Sequence, residues 1–120
     1  MFYNLGFIYG RLKNTDLALQ NYSQALEVEP GWGRVYYLRG AIYAGLQPPD
    51  WTKALADYDL AVANGYNAPD VYLNRGFAYT TRQEWAKARA DWEQALALDP
   101  QGQYGQLART NLAQLAAQGH

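Results

Sequence analysis

The spacing of its glycines and tyrosines constrains this chain more than any other feature of its sequence. Intervals of 34 and then 36 residues separate two sets, which are Gly6, Gly40 and Gly76, and Tyr9, Tyr43 and Tyr79. Intervals of 36 and then 34 residues separate three further sets, which are Ala18, Ala54 and Ala88, then Tyr22, Tyr58 and Trp92, then Ala25, Ala61 and Ala95. Self-similarity at this period is typical of stacked helical repeats.

Within each repeat the spacing is helical. Tyr72, Gly76 and Tyr79 follow an i, i+4, i+7 pattern and share one helical face, and Ala88 and Trp92 are also four residues apart. A small residue beside a large ring lets two helices approach closely. The sequence therefore predicts a pair of helices joined by a short turn, copied three times.

The change in the order of the intervals places two extra residues between Tyr43 and Ala54. Prolines 48 and 49 cannot lie inside a helix, and Asp50 can cap a helix that starts at Trp51. Gly65 is suited to a left-handed C-terminal cap, and Pro69 to the first turn of the next helix. The predicted helices are 2–12, 15–28, 33–45, 51–64, 69–82, 85–98 and 103–117.

Composition excludes several classes of protein. The 120 residues are 49 % hydrophobic and 18 % charged, with no cysteine and a net charge of −1. A disulfide framework, a thiol nucleophile and thiolate metal sites are excluded, and the charge gives no broad basic surface for nucleic acid. No apolar run reaches membrane-spanning length, and the N-terminus lacks the basic region of a signal peptide. A cytoplasmic location is the default expectation.

Candidates for catalytic chemistry are few. His120 is the single histidine and the final residue, so we expect a frayed tail. Two carboxylate pairs, Asp57 with Asp59 and Asp91 with Glu93, are two residues apart, which points each pair to different helix faces. We predict one buried partner and one solvated charge in each pair. The sequence predicts no enzyme, no metal and no cofactor.

The two ends of the chain differ in polarity. The segment 103–117 has an apolar stripe and a polar back, which predicts a capping helix; the stripe is Tyr104, Leu107, Ala108, Leu112 and Leu115. The first helix lacks an N-cap residue and exposes Phe2, Phe7 and Ile8. That end can bind a second copy of the chain, or a preceding repeat if the chain is a fragment of a longer protein.

These motifs resemble the tetratricopeptide repeat, which pairs an aromatic, a glycine and a tyrosine with alanines, a second aromatic and a closing proline. The matching residues are Phe2, Leu5, Gly6, Tyr9, Ala18, Tyr22, Ala25 and Pro30, then Tyr36, Gly40, Tyr43, Ala54, Tyr58 and Ala61, then Tyr72, Gly76, Tyr79, Ala88, Trp92, Ala95 and Pro100. The resemblance implies an all-α, right-handed superhelix of units 1–32, 33–68 and 69–102 plus a capping helix at 103–117, in a single domain of residues 1–120. The inserted turn, and Tyr66 in place of the usual proline, depart from the family pattern.

In the family the concave face, lined by the first helices, usually binds a peptide or protein. Repeat geometry places there Tyr3, Asn4, Phe7, Arg11, Arg34, Tyr37, Leu38, Ala41, Asp70, Leu73, Asn74, Phe77 and Thr81. The alternative is that these are merely half-buried residues of a curved surface. We predict a groove for an apolar or aromatic protein segment, with Asn4, Asn74 and Arg34 contacting its backbone.

Two other ligands are disfavoured. Family members that bind acidic chaperone tails use lysines, asparagines and an arginine at positions that are Tyr3, Phe7, Leu38, Asp70 and Asn74 here. Most of these side chains are uncharged and Asp70 has the wrong charge, which argues against such tails. Single-stranded nucleic acid is a distant alternative, because the arginines are dispersed over several faces.

A correlation inside the repeats goes beyond the family pattern. The second repeat has Arg39 before its glycine and Asp57 before its second-helix ring, and the third has Arg75 and Asp91 at the same places. The first repeat has a leucine and an asparagine there. We predict an ion pair between the two helices of the second repeat and of the third.

Overall fold

A computed structural model describes all 120 residues, which form seven helices and no strand. The helices are α1 Phe2–Arg11, α2 Thr15–Val28, α3 Gly33–Ala44, α4 Trp51–Ala63, α5 Pro69–Thr80, α6 Trp85–Leu98 and α7 Gln103–Ala117. Each predicted helix is present, with its bounds shifted by at most two residues. No helix has the length and apolar character needed to cross a membrane.

The helices form two compact units, the N-terminal unit Met1–Tyr66 and the C-terminal unit Asn67–His120. In the N-terminal unit α1 packs on α2, α2 on α3 and α3 on α4. In the C-terminal unit α5 packs on α6, and α7 covers both. That residues 1–120 form a single domain stays a prediction.

A glycine lies under an aromatic ring in every repeat. A Cβ atom added to Gly76 would lie 2.5 Å from Nε1 of Trp92, and one added to Gly6 would lie 2.6 Å from Cδ1 of Tyr22. At Gly40 the distance to Cε1 of Tyr58 would be 2.9 Å. The three glycines are therefore required by the close approach of the two helices rather than by backbone conformation.

Both predicted ion pairs are confirmed. Nε and a terminal nitrogen of Arg39 each donate to Asp57 at 2.8 Å, and Arg75 donates to Asp91 at 2.9 and 2.8 Å. The two aspartates are 3 % and 5 % exposed. Hydrogen bonding to Asp57 raises the pKa of the Arg39 guanidinium, outweighing the opposite effect of burial. The other carboxylate of each predicted pair, Asp59 or Glu93, is exposed, as predicted.

The turns inside the three repeats close with the same hydrogen bond. The residue before each second helix donates its N–H to the carbonyl of the repeat's tyrosine, in the pairs Asn14–Tyr9, Asp50–Tyr43 and Glu84–Tyr79, at 2.9, 2.9 and 3.1 Å. Lys13 and Gln83 precede the first and third of these residues in the left-handed conformation, with φ of 60° and 59°. The second turn carries the two extra residues and keeps the same closing bond.

Four local predictions about helix ends are confirmed. The Asp50 side chain accepts a hydrogen bond from the N–H of Lys53 at 3.0 Å, so it caps α4. Gly65 follows α4 with φ of +88°, and Pro69 is the first residue of α5. Helix α1 has no side-chain cap.

Two expectations at the C-terminus are wrong. Leu107 was expected in the buried stripe of α7, but it is 44 % exposed, and the buried residues are Gly105, Ala108 and Leu115. Gly105 lies against the backbone carbonyl of Asp99, so this buried face of α7 includes a residue without a side chain, and Leu107 is on another face. His120 is not frayed: its ring stacks on Trp85 with centroids 4.0 Å apart.

Candidate functional site

The N-terminal unit carries two aromatic stacks on the face predicted to bind a partner. Tyr3 of α1 stacks on Trp32 with ring centroids 4.7 Å apart, and the ring of Phe7 lies 6.5 Å from that of Tyr3. Tyr37 of α3 stacks on Tyr66 at 5.2 Å. Offset stacking of this kind adds stabilisation beyond the burial of the rings.

Arg34 links the two stacks. Its Nε donates to the hydroxyl of Tyr3 at 3.0 Å, and a terminal nitrogen donates to the hydroxyl of Tyr66 at 3.4 Å. The planar guanidinium suits this role because its donors diverge in a fixed geometry. Arg34 therefore holds rings from the first repeat and from the end of the second in one arrangement, which we call the tyrosine–arginine network: Tyr3, Trp32, Arg34, Tyr37 and Tyr66.

Beside the network an apolar depression of about 220 Å³ opens between α1 and α3. Its lining is Phe7, Gly10, Arg11, Tyr22, Leu38, Ala41 and Ile42. The guanidinium of Arg11 lies 5.8 Å from the centre of the Phe7 ring, within cation–π range. The depression is open to solvent and has the size and chemistry to receive an apolar side chain.

The phenol of Tyr22 lies under this depression and is buried. Burial raises its pKa to about 12; the neighbouring Tyr3 acts in the same direction, and Arg34 opposes both. Tyr22 therefore stays neutral at physiological pH and serves as an apolar floor.

Most of the predicted residues of the N-terminal unit lie at these two features. Tyr3, Arg34 and Tyr37 belong to the network, and Phe7, Arg11, Leu38 and Ala41 line the depression, whereas Asn4 is exposed and belongs to neither feature. Sequence reasoning missed Trp32 and Tyr66, which lie in the connections after the second helices. Their aromatic character, and the replacement of the family's proline by Tyr66, were the available signals.

The C-terminal unit presents its predicted residues differently. Asp70, Leu73 and Asn74 are half-buried, and the Thr81 hydroxyl donates to the Ala78 carbonyl of its own helix at 2.6 Å. Phe77 is 54 % exposed. It borders a separate depression of about 300 Å³ lined by Phe77, Thr80, Trp85, Trp92, Asn111, Gln114, Leu115 and Gln118.

The acidic side chains are the candidates for metal binding in this chain. No three histidine, cysteine, aspartate or glutamate side chains cluster as metal ligands would. The two buried carboxylates are those of Asp57 and Asp91, and each is bound to the arginine of its own repeat. These side chains join helices rather than face a ligand.

Family models of the tetratricopeptide repeat match residues 1–31 and 69–101, which together make up more than half of the chain. This chain is a tetratricopeptide-repeat protein. No curated protein matches it. Tetratricopeptide-repeat domains are typically interaction modules rather than catalysts, so the chain is placed among protein–protein interaction modules.

Solved structures, among them tetratricopeptide-repeat domains, match the chain over nearly its whole length. The first such domain of Spaghetti (RPAP3), bound to HSP90 peptide SRMEEVD, has a TM-score of 0.85 and 24 % identity, covering 97 % of this chain and 88 % of that one. The TPR2B domain of yeast Sti1, in a complex with pHsp70, has a TM-score of 0.80 and 24 % identity, covering 99 % and 95 %. PcrH, in complex with the chaperone binding region of PopD, has a TM-score of 0.85 and 19 % identity, covering 99 % and 91 %.

These similarities show that the fold is an all-α tetratricopeptide-repeat solenoid, as predicted. At such identities they say nothing about which ligand this chain binds. Two of the three relatives are complexes with an HSP90 peptide or with pHsp70, so the comparisons give no support to the prediction that acidic chaperone tails are not ligands.

Proposed function

We propose that the N-terminal unit binds a peptide segment of a partner protein, which inserts an apolar side chain into the depression between α1 and α3. The segment's backbone would lie along the tyrosine–arginine network. The observation that carries this proposal is the pair of hydrogen bonds from Arg34 to the hydroxyls of Tyr3 and Tyr66, which fixes the rings beside the depression before any ligand arrives.

Preorganisation is the physical reason for favouring this surface. Ordering side chains at an interface costs about 0.5–1.5 kcal/mol for each rotamer-rich group. Tyr3 and Tyr37 are already stacked and Arg34 is already hydrogen-bonded, so much of that cost is met during folding. Aromatic side chains of this kind are enriched among residues that dominate binding energy.

The charges on this surface support an apolar ligand over an acidic tail. Among the predicted residues of the N-terminal unit the cations are Arg11 and Arg34. Arg34 is occupied with two tyrosine hydroxyls, and Arg11 lies against the ring of Phe7. We propose that an acidic chaperone tail binds more weakly than a segment with a large apolar anchor, although relatives of this fold bind such peptides.

A peptide-display selection on the intact chain tests the proposal. We expect the selected peptides to share a leucine, isoleucine, methionine or aromatic anchor, and to lose at least tenfold in affinity with Phe7→Ala and with Arg34→Gln. Leu60→Ala is the matched control, because Leu60 is an exposed apolar residue of the same unit that lies on α4, outside the network and the depression.

The comparator ligands are the peptide SRMEEVD and a single-stranded oligonucleotide, both expected to bind at least tenfold more weakly than the selected peptides. Equal binding of wild type, Phe7→Ala and Arg34→Gln would overturn the location of the site. Preferred binding of SRMEEVD would overturn the ligand class and place the chain with the chaperone-tail binders. Circular dichroism of each variant separates lost binding from lost folding.

A further inference from the structure

Helix α1 presents an apolar stripe on its outer face. Leu5 and Ile8 of α1, with Met1 just before the helix and Leu12 just after it, follow the spacing i, i+4, i+7 and i+11 from Met1. Met1, Leu5, Ile8 and Leu12 are 82 %, 37 %, 51 % and 70 % exposed. The four stripe residues belong neither to the tyrosine–arginine network nor to the lining of the depression that receives the proposed peptide. Four apolar side chains in one row on a helix form a surface that another helix can cover.

The equivalent stripe of the second repeat shows what covers such a surface. The residues 34 positions later are Val35, Arg39, Ile42 and Leu46. Val35 is fully buried in a cluster with three residues of α2, which are Tyr22, Ala25 and Leu26, and Ile42 packs on the same cluster. Arg39 also donates to the hydroxyl of Ser23 in α2 at 3.2 Å. Helix α2 is therefore the natural template for the occupant of the α1 stripe.

Charge gives a second, independent argument for the occupant. Helix α1 has no acidic residue, carries Arg11 in its last turn and is followed by Lys13. Helix α2 has the opposite character: Asp16 and Glu27 are exposed acidic residues, and it contains no lysine or arginine. A helix with the acidic character of α2 thus complements the net positive charge of α1 and Lys13, whereas a second α1 would bring like charges together.

We propose that the outer face of α1 binds an acidic amphipathic helix of a partner protein, whose apolar face combines small, aliphatic and aromatic side chains as α2 does. A cleft of about 490 Å³ adjoins the N-terminal end of the stripe and gives room for one large apolar side chain of that helix. Met1, Phe2, Ala25, Val28 and Glu29 line it together with Tyr3 and Trp32, so a side chain placed there also touches the edge of the tyrosine–arginine network. This surface makes the chain a bivalent module whose outer helix and inner depression bind different segments.

The test uses a peptide of this chain's own α2. Residues 14–30 are synthesised with blocked ends, a fluorophore, and a hydrocarbon staple joining Gln20 to Gln24 so that helix formation does not limit binding. The intact chain is titrated and fluorescence anisotropy is recorded. We expect saturable binding that falls at least tenfold with Ile8→Glu and also with Leu12→Glu. Both side chains are at least half exposed, so these variants fold, which circular dichroism checks.

Leu107→Glu is the control, since Leu107 is an exposed leucine on α7 and its substitution leaves binding unchanged. A peptide carrying Leu26→Glu is expected not to bind, because Leu26 belongs to the cluster that covers α3. We expect binding to weaken several-fold when the ionic strength is raised from about 0.05 to 0.5 M, because salt screens the attraction between the acidic peptide and the basic end of α1.

Three outcomes would overturn the proposal. They are the absence of saturable binding by the stapled peptide, equal binding by Ile8→Glu and wild type, and a chain that sediments as a dimer which Ile8→Glu converts to monomer. The last result would assign the stripe to a second copy of the chain. Phe7→Ala distinguishes the two surfaces, because it abolishes the proposed inner binding and leaves the outer binding intact.

Discussion

The first and third repeats place a ring over a glycine in the same way, but different interactions join their helices. In the third repeat, Arg75 and Asp91 form a two-point ion pair between α5 and α6, and Nε1 of Trp92 donates to the Leu73 carbonyl at 3.1 Å. In the first repeat, Leu5 and Asn21 occupy the positions of the ion pair, and Asn21 donates to the Leu17 carbonyl of its own helix at 2.8 Å. Of these two repeats, the third alone adds an ion pair between its helices to the packing.

The glycine–ring contact alone is therefore enough to define the repeat. The ion pair is an addition that makes the geometry costly to disturb, because either charge left alone in a buried setting is unfavourable. Leu5 stands where the other two repeats have an arginine. This difference also makes the outer face of α1 continuously apolar. One sequence difference thus changes both the interactions between the two helices of a repeat and the polarity of its outer surface.

Removing one charge of the third repeat should have the largest effect. We expect Asp91→Asn to lower the free energy of unfolding by about 3 kcal/mol, because the partly buried Arg75 loses its bidentate partner. The double variant Arg75→Leu/Asp91→Asn copies the first repeat and should recover about half of that loss. Urea unfolding followed by circular dichroism measures both. A double variant no more stable than the single would show that the third repeat depends on its ion pair.

Adding a methyl group to the glycine under the ring should have the second largest effect on stability. Gly76→Ala puts a methyl group against the Trp92 ring and should cost about 1–3 kcal/mol, as overpacking does. Gly10→Ala is the matched change in the first repeat: its Cβ atom would lie 3.7 Å from Ile42, at ordinary contact distance. It should stabilise the chain by about 0.5 kcal/mol through helix propensity. Similar effects of the two variants would contradict the steric role of Gly76.

Alkaline pH should destabilise the first repeat more than the third, because the first buries a phenol where the third has an indole. Tyr22 has a folded-state pKa of about 12, above the ordinary value of 10.0, so its neutral form is favoured by folding. Its contribution is complete below pH 10 and is lost as the pH rises through 12. Urea unfolding at pH 9 and pH 11.5 should show a larger loss for wild type than for Tyr22→Phe. Equal losses would mean that the phenol titrates normally.

The smallest effect is expected where the two repeats agree. Lys13 and Gln83 both adopt a left-handed conformation that costs a side-chain-bearing residue about 1 kcal/mol. Lys13→Gly and Gln83→Gly should therefore each stabilise the chain by up to about 0.5 kcal/mol, since the greater flexibility of glycine in the unfolded chain offsets part of the gain. Thermal unfolding measures the shift. A gain in one repeat and a loss in the other would show that the turns are not equivalent.

Much of the fold follows from residue types and spacing alone. The register of Gly6, Gly40 and Gly76 locates the first helix of each pair, the register of the rings locates the second, and the difference between their intervals locates the longer turn. The pairing of Arg39 with Asp57 was also predictable, since the repeats that have the arginine also have the aspartate. These features depend on spacing along helices, which is nearly invariant.

The site was less predictable. The position of Arg34 on an inner face follows from the repeat, but its link between Tyr3 and Tyr66 depends on rotamers and on the path of the connection after α4. The stacking of His120 on Trp85 depends in the same way on the course of the chain beyond α7. Leu107 was wrongly predicted to be buried, because the close approach of Gly105 to Asp99, rather than hydrophobicity alone, determines which face of α7 is buried.

The second turn allows the chain to change length locally. Its hydrogen bond from Asp50 to Tyr43 encloses the two extra residues, so the bond fixes where α4 begins whatever lies between its two ends. Loop-closure entropy grows slowly with length, by about 0.6 kcal/mol for each doubling. An epitope tag or a reporter inserted between Gln47 and Pro49 would therefore leave both flanking helices in place, which makes this turn a permissive attachment point for labels.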